Sequence, residues 1–301
     1  MDRWQKLINQ PGVIIADGAM GTMLQQAGLK PGDLPMLWNV QHADRVRAVH
    51  GAYLEAGARI LLTNTFNGNR FRLAVHGLEG RGDELNRAGA QLLRAEIEDH
   101  TAKAGKGTFE AVVAGDIGPT GEILAPLGKL LFEDAADAFA RQAGALTDGG
   151  ADLIWIETMS DLEEVRAAVE GTRRASPGIP VIVTMTFDTR GRTMMGVKPE
   201  AAATTLGEWR VEAMGGNCGN GPDEMLAAIT KMRAAAPGAL LVAKPNAGMP
   251  ELVDGNTVYR ATPEMMAQSA VQLRGAGARI IGGCCGTTPA HIAAMERAML
   301  H

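Results

Sequence analysis

Short apolar runs alternate with amphipathic stretches along the whole chain. Three of these runs share one sequence pattern, in which a helix-like segment ends on glycine and an apolar segment follows. They are EAGARILLTN at 55–64, DGGADLIWIE at 148–157 and GAGARIIGGC at 275–284. Glycine is favoured just past the C-terminus of a helix because it adopts the left-handed conformation without a Cβ clash. The pattern therefore predicts a helix-to-strand junction that recurs along the chain.

Five further apolar runs bring the predicted strands to eight. The predicted strands lie within 13–18, 55–64, 111–118, 148–157, 180–187, 212–219, 239–248 and 275–284, and predicted helices include 44–57, 85–103, 133–150, 161–175 and 222–236. The segment at 212–219 departs most from the pattern, since it contains Glu212 and two adjacent glycines. Apolar strands that alternate with amphipathic helices are typical of parallel strands covered on both faces. Eight such units in 301 residues predict an α/β fold, a single (β/α)8 TIM-type barrel domain over residues 1–301.

The residues at the strand ends are the first candidates for a functional site, because the chemistry of such barrels lies at the C-terminal ends of the strands. Those residues are Asp17, Asn64, Asp116, Glu157, Thr186, Cys218, Asn246, Cys284 and Cys285. They include all three cysteines of the chain. Closure of the barrel would also place the last strand beside the first, so we expect the cysteine pair to lie close to Asp17.

Three thiols at one mouth suit a zinc ion that keeps its fourth tetrahedral position open for a ligand. The glycines in GGNCG and GGCCG allow the backbone to bend, so that the adjacent side chains of Cys284 and Cys285 can reach one ion together with Cys218. Two other interpretations stay open at this point. The cysteines are also consistent with small buried apolar side chains, or with a vicinal pair that closes a strained disulfide as a redox switch.

A zinc ion with three thiolate ligands favours sulfur chemistry over hydrolysis. Such an ion is a poor Lewis acid towards water, but it lowers the pKa of an incoming thiol, which then binds as a thiolate at neutral pH. Asp17 and Glu157, at two of the strand ends, are then candidates to hold the ammonium group of an amino-acid thiol. For either acid the alternative is a helix cap or a salt bridge in a loop.

Seven motifs, in order over nearly the whole chain, resemble the zinc-dependent homocysteine S-methyltransferases. The motifs are DGAMGTML at 17–24, LLTNTF at 61–66, GDIGPTGE at 115–122, WIETMSDLEE at 155–164, GGNCGNGP at 215–222, KPNAGMP at 244–250 and GGCCGTTPAHI at 282–292. The resemblance implies the barrel fold, zinc on the three cysteines, and homocysteine held through its amino group by Asp17 and Glu157. On the same motifs and strand ends, we also assign Gly18, Asn64 and Thr186 to the substrate site.

The methyl donor follows from the resemblance less directly. The stretches LWNVQHADRV, WIETMS and RTMMG look most like the short bacterial betaine–homocysteine methyltransferases, which points to betaine as the small onium donor. A quaternary ammonium group is normally held in an aromatic cage. Trp38 lies in the region where the animal enzymes of this family carry a cage tryptophan, but Asn67 and Thr158 stand at the positions of two cage tyrosines. The alternatives are a simple packing role for Trp38, and S-methylmethionine, S-adenosylmethionine or a methylated corrinoid protein as donor. Other aromatic residues that would have to complete the cage are Phe66, Phe71 and Tyr259.

Two further motif residues have candidate roles near the zinc site. Asn246 in KPNAG is a candidate fourth zinc ligand when no thiol is bound, with an ordinary turn as the alternative. His291 in TPAHI follows the cysteine pair at a predicted helix start. We expect it to pack or to cap that helix and not to bind metal.

Charge and composition narrow the partners. The net charge is −5 and no cluster of basic residues alternates with aromatic ones, which argues against nucleic acid or an anionic membrane as partner. No stretch approaches ~18 uninterrupted apolar residues, and the N-terminal stretch lacks the apolar core of a targeting signal. We therefore expect a cytoplasmic protein that either acts alone or forms a homo-oligomer. The chain ends ten residues after His291, so we expect its methyl donor to be a small molecule or a separate protein.

Overall fold

The computed structural model describes residues 2–105, 111–253 and 256–300, and it confirms the predicted barrel. The barrel strands are β1 (Ile14–Ile15), β2 (Ile60–Leu62), β3 (Val112–Ile117), β4 (Leu153–Met159), β5 (Val181–Met185), β6 (Ala213–Cys218), β7 (Leu241–Pro245) and β10 (Ala278–Ile281). They form one parallel sheet in the order β1-β10-β7-β6-β5-β4-β3-β2. Between β7 and β10 the chain adds a short antiparallel hairpin, β8 (Glu251–Val253) and β9 (Asn256–Val258).

Helices connect the strands and cover the outside of the barrel. They are α1 (Arg3–Ile8), α2 (Met20–Gln26), α3 (Trp38–Gln41), α4 (Ala43–Glu55), α5 (Arg70–Ala74), α6 (Gly82–Ala104), α7 (Phe132–Asp148), α8 (Leu162–Ala175), α9 (Pro199–Glu208), α10 (Pro222–Ala235), α11 (Pro263–Gly275) and α12 (Pro289–Met299). The five helices predicted from the sequence correspond to α4, α6, α7, α8 and α10. Within the described ranges, no helix combines the length and the apolar character that crossing a bilayer requires.

The barrel closes along a short seam between its first two strands. Ile14 and Ile15 of β1 pair with β10, while Ala16 forms a parallel bridge to Ile60 of β2. The backbone N–H of Asp17 donates to the carbonyl of Ile60 at 3.0 Å, and the N–H of Gly283 donates to the carbonyl of Asp17 at 3.0 Å. The last strand therefore lies beside the first, as predicted, and Asp17 reaches the rim next to the cysteine pair.

The strand that departed most from the predicted pattern is a regular member of the sheet. β6 pairs with β5 and β7 over most of its length, as far as Cys218 opposite Pro245. A Cβ atom on Gly215 would collide with the carbonyl oxygen of Val242 on the neighbouring strand. The glycine that weakens the apolar pattern is thus required by close contact between β6 and β7.

Alternate residues of the strands face the barrel axis, and their character changes along it. At the N-terminal end these residues are apolar and pack in one buried cluster with two side chains of α1; the cluster includes Trp4, Leu7, Ile14, Ile60, Val112, Leu153, Ile182, Val242 and Ile280. Helix α1 thereby covers this end of the barrel. Further along the same strands the inward positions become polar, and this change creates the site at the opposite end.

Candidate functional site

A cavity of about 400 Å³ lies at the C-terminal ends of the barrel strands. Most of the residues predicted from the sequence line it together: Asp17, Gly18, Asn64, Glu157, Cys218, Cys284 and Cys285. Trp38, Thr186 and Asn246 are not part of its wall. The structure therefore brings the thiols and the predicted acids into one space, whereas three of the predicted residues lie around it.

The three cysteines converge although they come from distant parts of the chain. Their Sγ atoms all lie within 4.8 Å of one another. The Sγ atoms of Cys218 and Cys284, 66 residues apart, are separated by 2.9 Å. All three are unpaired thiols with partial exposure, and they line the cavity. The three thiols could together hold a metal ion, and the residues that carry them line the cavity.

Unusual backbone conformations aim these side chains at one point. Cys218 ends β6 with φ of 59°, in the left-handed region that residues with a Cβ rarely occupy, and Gly219 follows with φ of 74°. Thr287 N–H donates to the carbonyl of Cys284, which forms a tight turn after β10. Strain of this kind persists where the surrounding structure imposes it, and it is concentrated at functional sites.

The three thiols differ in how readily they lose their protons. Hydrogen bonds from Cys218 and Cys284 lower the pKa of Cys285 to about 3. The hydrogen bond with Cys284, the bond with Cys285 and burial raise the pKa of Cys218 well above its usual range. The cluster therefore holds one thiolate readily and resists a second, because like charges repel at this distance. Three thiolates at this distance need a cation among them.

A buried ion pair lies beside the thiols, and sequence analysis did not predict it. Lys244 Nζ donates to Asp17 Oδ1 at 2.8 Å, with both side chains almost fully buried. The N–H of Leu62 donates to Asp17 Oδ2 at 2.8 Å. Burial lowers the pKa of Lys244, but the charges of Asp17 and Glu157 outweigh it and hold that pKa above its usual value. Since Lys244 follows the inward Val242 by two residues, strand alternation is the signal that would have placed it inside the barrel.

Two other acids share this buried space without comparable partners. Asp116 Oδ1 and Glu157 Oε2 are inaccessible to solvent and have no hydrogen-bond partner in the described structure. Burial raises the pKa of Glu157 to about 8. Burial, followed by the charge of Glu157, raises the pKa of Asp116 well above its usual value. Buried carboxyl groups with raised pKa values beside a cavity are candidates for a functional role.

Asn217 links the strand that carries Glu157 to the thiols. The sequence alone did not identify it as a site residue. Its Oδ1 accepts from the N–H of Thr158 at 2.8 Å, and its Nδ2 donates to Thr158 Oγ1 at 2.8 Å and to Cys284 Sγ at 3.8 Å. Thr158 has φ of 63° and follows Glu157 directly. The buried amide of Asn217 thus fixes the bend after Glu157 relative to one of the sulfur atoms.

The remaining predicted residues take structural positions around the cavity. The side-chain amide of Asn64 donates to the carbonyl of Pro35 and to Asn39, each at 2.9 Å, while Thr186 Oγ1 donates to the carbonyl of Asn217 at 3.2 Å. Trp38 is buried in the hydrophobic core, and the guanidinium of Arg45 lies 5.1 Å from the centre of its ring. The structure does not bring Trp38 to the cavity, so its role in a donor cage stays a prediction.

Asn246 and His291 lie close to the cysteine loops. Asn246 Nδ2 donates to the carbonyl of Gly219 at 2.6 Å, and its buried Oδ1 has no partner among the described residues. His291 Nδ1 accepts from the N–H of Thr288, while Nε2 lies 2.9 Å from the carbonyl of Ala261. This capping box at the start of α12 confirms that His291 caps the helix.

The other aromatic candidates differ in their access to the cavity. Phe66 is the one aromatic side chain in the cavity wall within the described part of the chain. Tyr259 packs against Gly286, and its proximity contributes to the lowered pKa of Cys285, so it lies beside the thiol cluster. The guanidinium of Arg70 lies 4.9 Å from the centre of the Phe71 ring. Of the aromatic candidates, Phe66 and Tyr259 therefore lie nearest the thiol cluster and the cavity.

Comparison with known proteins gives one consistent result. Residues 14–299 match the family described as homocysteine S-methyltransferase. The chain is 35% identical over 293 residues to methionine synthase from Mycobacterium tuberculosis (strain ATCC 25618 / H37Rv), and 34% identical over 293 residues to methionine synthase from Mycobacterium leprae (strain TN). Each match covers 93% of this chain and 24% of the relative. The chain thus spans about a quarter of the length of these curated relatives.

A solved structure resembles the whole barrel. The metallated form of the homocysteine methyltransferase MmuM from Escherichia coli superposes with a TM-score of 0.81 at 27% sequence identity. The match covers 98% of this chain and 99% of that chain. The similarity therefore extends over the entire fold and is not confined to the motifs around the cysteines.

Proposed function

The chain belongs to the homocysteine S-methyltransferase family, and we propose that it transfers a methyl group from a small onium compound to the thiol of L-homocysteine, forming methionine. The observation that carries this proposal is the convergence of three thiols at a cavity whose wall also holds buried acids. A thiol substrate with an ammonium group would find a partner for each of its two ends there.

We propose zinc as the resident metal, with Cys218, Cys284 and Cys285 as its ligands. The three sulfur donors fit this ion, because soft thiolates suit zinc and three protein ligands leave one position for a substrate. When bound in such a site, zinc lowers the pKa of a ligand thiol, which is then a thiolate at neutral pH. Asn246 is proposed as the fourth ligand without substrate, supported by its unpartnered Oδ1 next to the cysteine loops.

The chain's own contribution is to orient the substrate and to exclude water. Glu157 lines the cavity, and we propose that its carboxylate holds the ammonium group. Gly18 allows close packing of the wall, since a Cβ there would lie 2.7 Å from Thr287 Oγ1. Asn64 lines the same wall, while Thr186 and Asp17 support it through their hydrogen bonds. Holding both reactants in line in this way lowers the barrier to transfer.

Betaine is the donor that we propose first. Its quaternary ammonium group would be recognised by aromatic faces, and Phe66 and Tyr259 are the side chains placed to offer them. S-methylmethionine, S-adenosylmethionine and a methylated corrinoid protein are the other donors to be compared.

Because unpaired thiols persist in reducing compartments, we propose the cytoplasm as the location of the protein.

A donor screen tests this function directly. Protein purified under reducing conditions is analysed for metal and incubated with homocysteine and each methyl-labelled donor, and labelled methionine is measured. We expect about one zinc per chain and label transfer from betaine. Zinc with transfer from another donor would correct the donor alone. Absence of zinc, with an oxidisable pair at Cys284 and Cys285, would instead indicate the redox-switch alternative.

A further inference from the structure

We infer that Thr287 is a positioning residue for the metal site, because its buried hydroxyl holds the turn that carries Cys284 and Cys285 against the loop after β1. This inference rests on the proposed function, since it concerns the metal that we propose for the three cysteines. Thr287 contacts neither metal nor substrate in this assignment. It acts through the backbone of two loops that line the cavity, residues 17–22 and 283–285.

The hydroxyl of Thr287 uses both its donor and its acceptor capacity. Thr287 Oγ1 donates to the carbonyl of Cys284 at 2.6 Å and accepts from the N–H of Ala19 at 3.1 Å. The residue is fully buried. Both bonds go to backbone atoms, one of a proposed metal ligand and one of the cavity wall. A single hydroxyl thereby joins two segments that lie 268 residues apart in the chain.

Tyr53 on α4 strengthens this link from behind the two loops. Its hydroxyl oxygen lies 3.1 Å from the carbonyl oxygen of Ala19 and 3.2 Å from that of Thr287, so it can donate to either. Tyr53 is as fully buried as Thr287. Buried polar groups that are hydrogen-bonded to one another in this way make the local structure rigid.

The packing around the two hydroxyls leaves no room for side chains on the adjacent glycines. A Cβ atom on Gly18 would lie 2.7 Å from Thr287 Oγ1 and 2.9 Å from Tyr53 Oη. A Cβ atom on Gly283 would collide with the Thr287 side chain. Because these glycines let the backbone of both loops approach the hydroxyls, close contact and hydrogen bonds together set the relative position of the loops.

Two more hydrogen bonds connect the same loops, one on each side of the cysteine pair. The N–H of Gly283 donates to the carbonyl of Asp17 at 3.0 Å, and the N–H of Gly286 donates to Thr22 Oγ1 at 3.2 Å. The Thr287 hydroxyl adds a bond to the backbone of Cys284 itself. Its removal should therefore affect the orientation of a proposed ligand directly, although the turn stays attached at both ends.

Metal binding by two variants of Thr287 tests the inference. Thr287→Val has nearly the same shape but lacks the hydroxyl, whereas Thr287→Ser keeps the hydroxyl. We expect zinc affinity, measured by competition with a chelator, to fall ~10- to 100-fold in Thr287→Val and to stay close to the wild type in Thr287→Ser. The electronic spectrum of the cobalt-substituted protein should change in Thr287→Val alone, because it reports the geometry of the sulfur ligands around the ion.

Thr193 provides a matched control away from the cysteines. It is fully buried, and its Oγ1 donates to the carbonyl of Ser160 at 2.6 Å and accepts from the N–H of Val197 at 3.1 Å. Thr193→Val therefore removes the same two kinds of hydrogen bond. We expect both valine variants to lower the urea stability of the metal-free protein, but Thr193→Val should leave zinc affinity and the cobalt spectrum unchanged. Equal losses of zinc affinity in the two variants would overturn the inference, because Thr287 would then act only through stability.

The possible failures are distinguishable. A wild type that binds neither zinc nor cobalt would refute the proposed function. A wild type that binds zinc, with Thr287→Val equal to it in affinity and spectrum, would refute only the positioning role. Should Thr287→Val fail to fold, Tyr53→Phe replaces it in the test, because it removes the hydroxyl that bridges Ala19 and Thr287. A lower zinc affinity with a changed cobalt spectrum then supports the inference, and wild-type values overturn it.

Discussion

The two ends of the barrel carry opposite chemistry although the same strands form both. At the N-terminal end the inward residues are apolar and lie against Trp4 and Leu7 of α1. At the C-terminal end the inward residues are acids, a lysine and thiols around an open cavity. Val242 and Lys244, two residues apart on β7, show the change within a single strand. The depth of a side chain along the axis therefore decides whether its replacement should affect folding or chemistry.

The largest effect on the open end should come from the loss of a thiol. We expect Cys284→Ala to lose the metal and to reduce turnover beyond the ~10- to 100-fold that changes around the ligands cause. Metal analysis and methionine formation measure both quantities. Val75→Ala, at a residue with 74% exposure, is the control and should match the wild type. Full zinc content with full activity in Cys284→Ala would contradict the assignment of the site.

The closed end should respond in the opposite way. Trp4 is 1% exposed, and we expect Trp4→Ala to lower the free energy of unfolding by ~3–5 kcal/mol, because it removes a large buried side chain. Leu127→Ala, at a residue with 79% exposure, should cost less than ~0.5 kcal/mol. Urea unfolding provides the comparison. Below the unfolding transition, Trp4→Ala should retain metal content and KM, and a loss of metal in the folded variant would show that the two ends are coupled.

Asn217 allows a sharper comparison within the open end. Asn217→Ala removes the hydrogen bonds to Thr158 and the contact with Cys284 Sγ. We expect a loss of ~10-fold or more in zinc affinity, as for other residues that orient metal ligands. Competition with a chelator measures it. Asn220→Ala, three residues away, removes hydrogen bonds only to Asp188 and Glu224, and it should leave zinc affinity unchanged.

The smallest expected effect is a change in pH dependence. Burial raises the pKa of Glu157 to about 8 from an ordinary 4.5 in the metal-free protein. The folded state therefore keeps a proton that the unfolded chain releases, so this contribution to stability is complete below pH 4.5 and is lost as the pH rises to about 8. We expect Glu157→Gln to lose less stability than the wild type between pH 5 and pH 8. Urea unfolding of the variant and the wild type at the two pH values measures this difference. An equal loss of unfolding free energy in both proteins would contradict the prediction.

The sequence predicts much of this molecule because its pattern is local. Glycine after each helix and apolar strands at regular intervals indicate the barrel, and strand direction then places all three cysteines at one end. The capping role of His291 was equally predictable, because it depends on a motif of four residues.

The features that the sequence did not predict depend on contacts across strands. Lys244 is an ordinary basic residue in the sequence, and only its inward position beside Asp17 makes it part of the site. Asn217 acts through Thr158 and Cys284, which lie on other strands or loops. The orientation of Trp38 is set by the packing of α3 against α4 and by Arg45. No local pattern contains that information.

Asp17 joins three parts of the rim: its backbone continues the seam from β1 to β2, its Oδ2 accepts from Leu62 on β2, and its Oδ1 accepts from Lys244 on β7. Replacement of Asp17 would remove both of the side-chain contacts at once. It would therefore reduce the stability of the rim as well as alter the wall of the cavity.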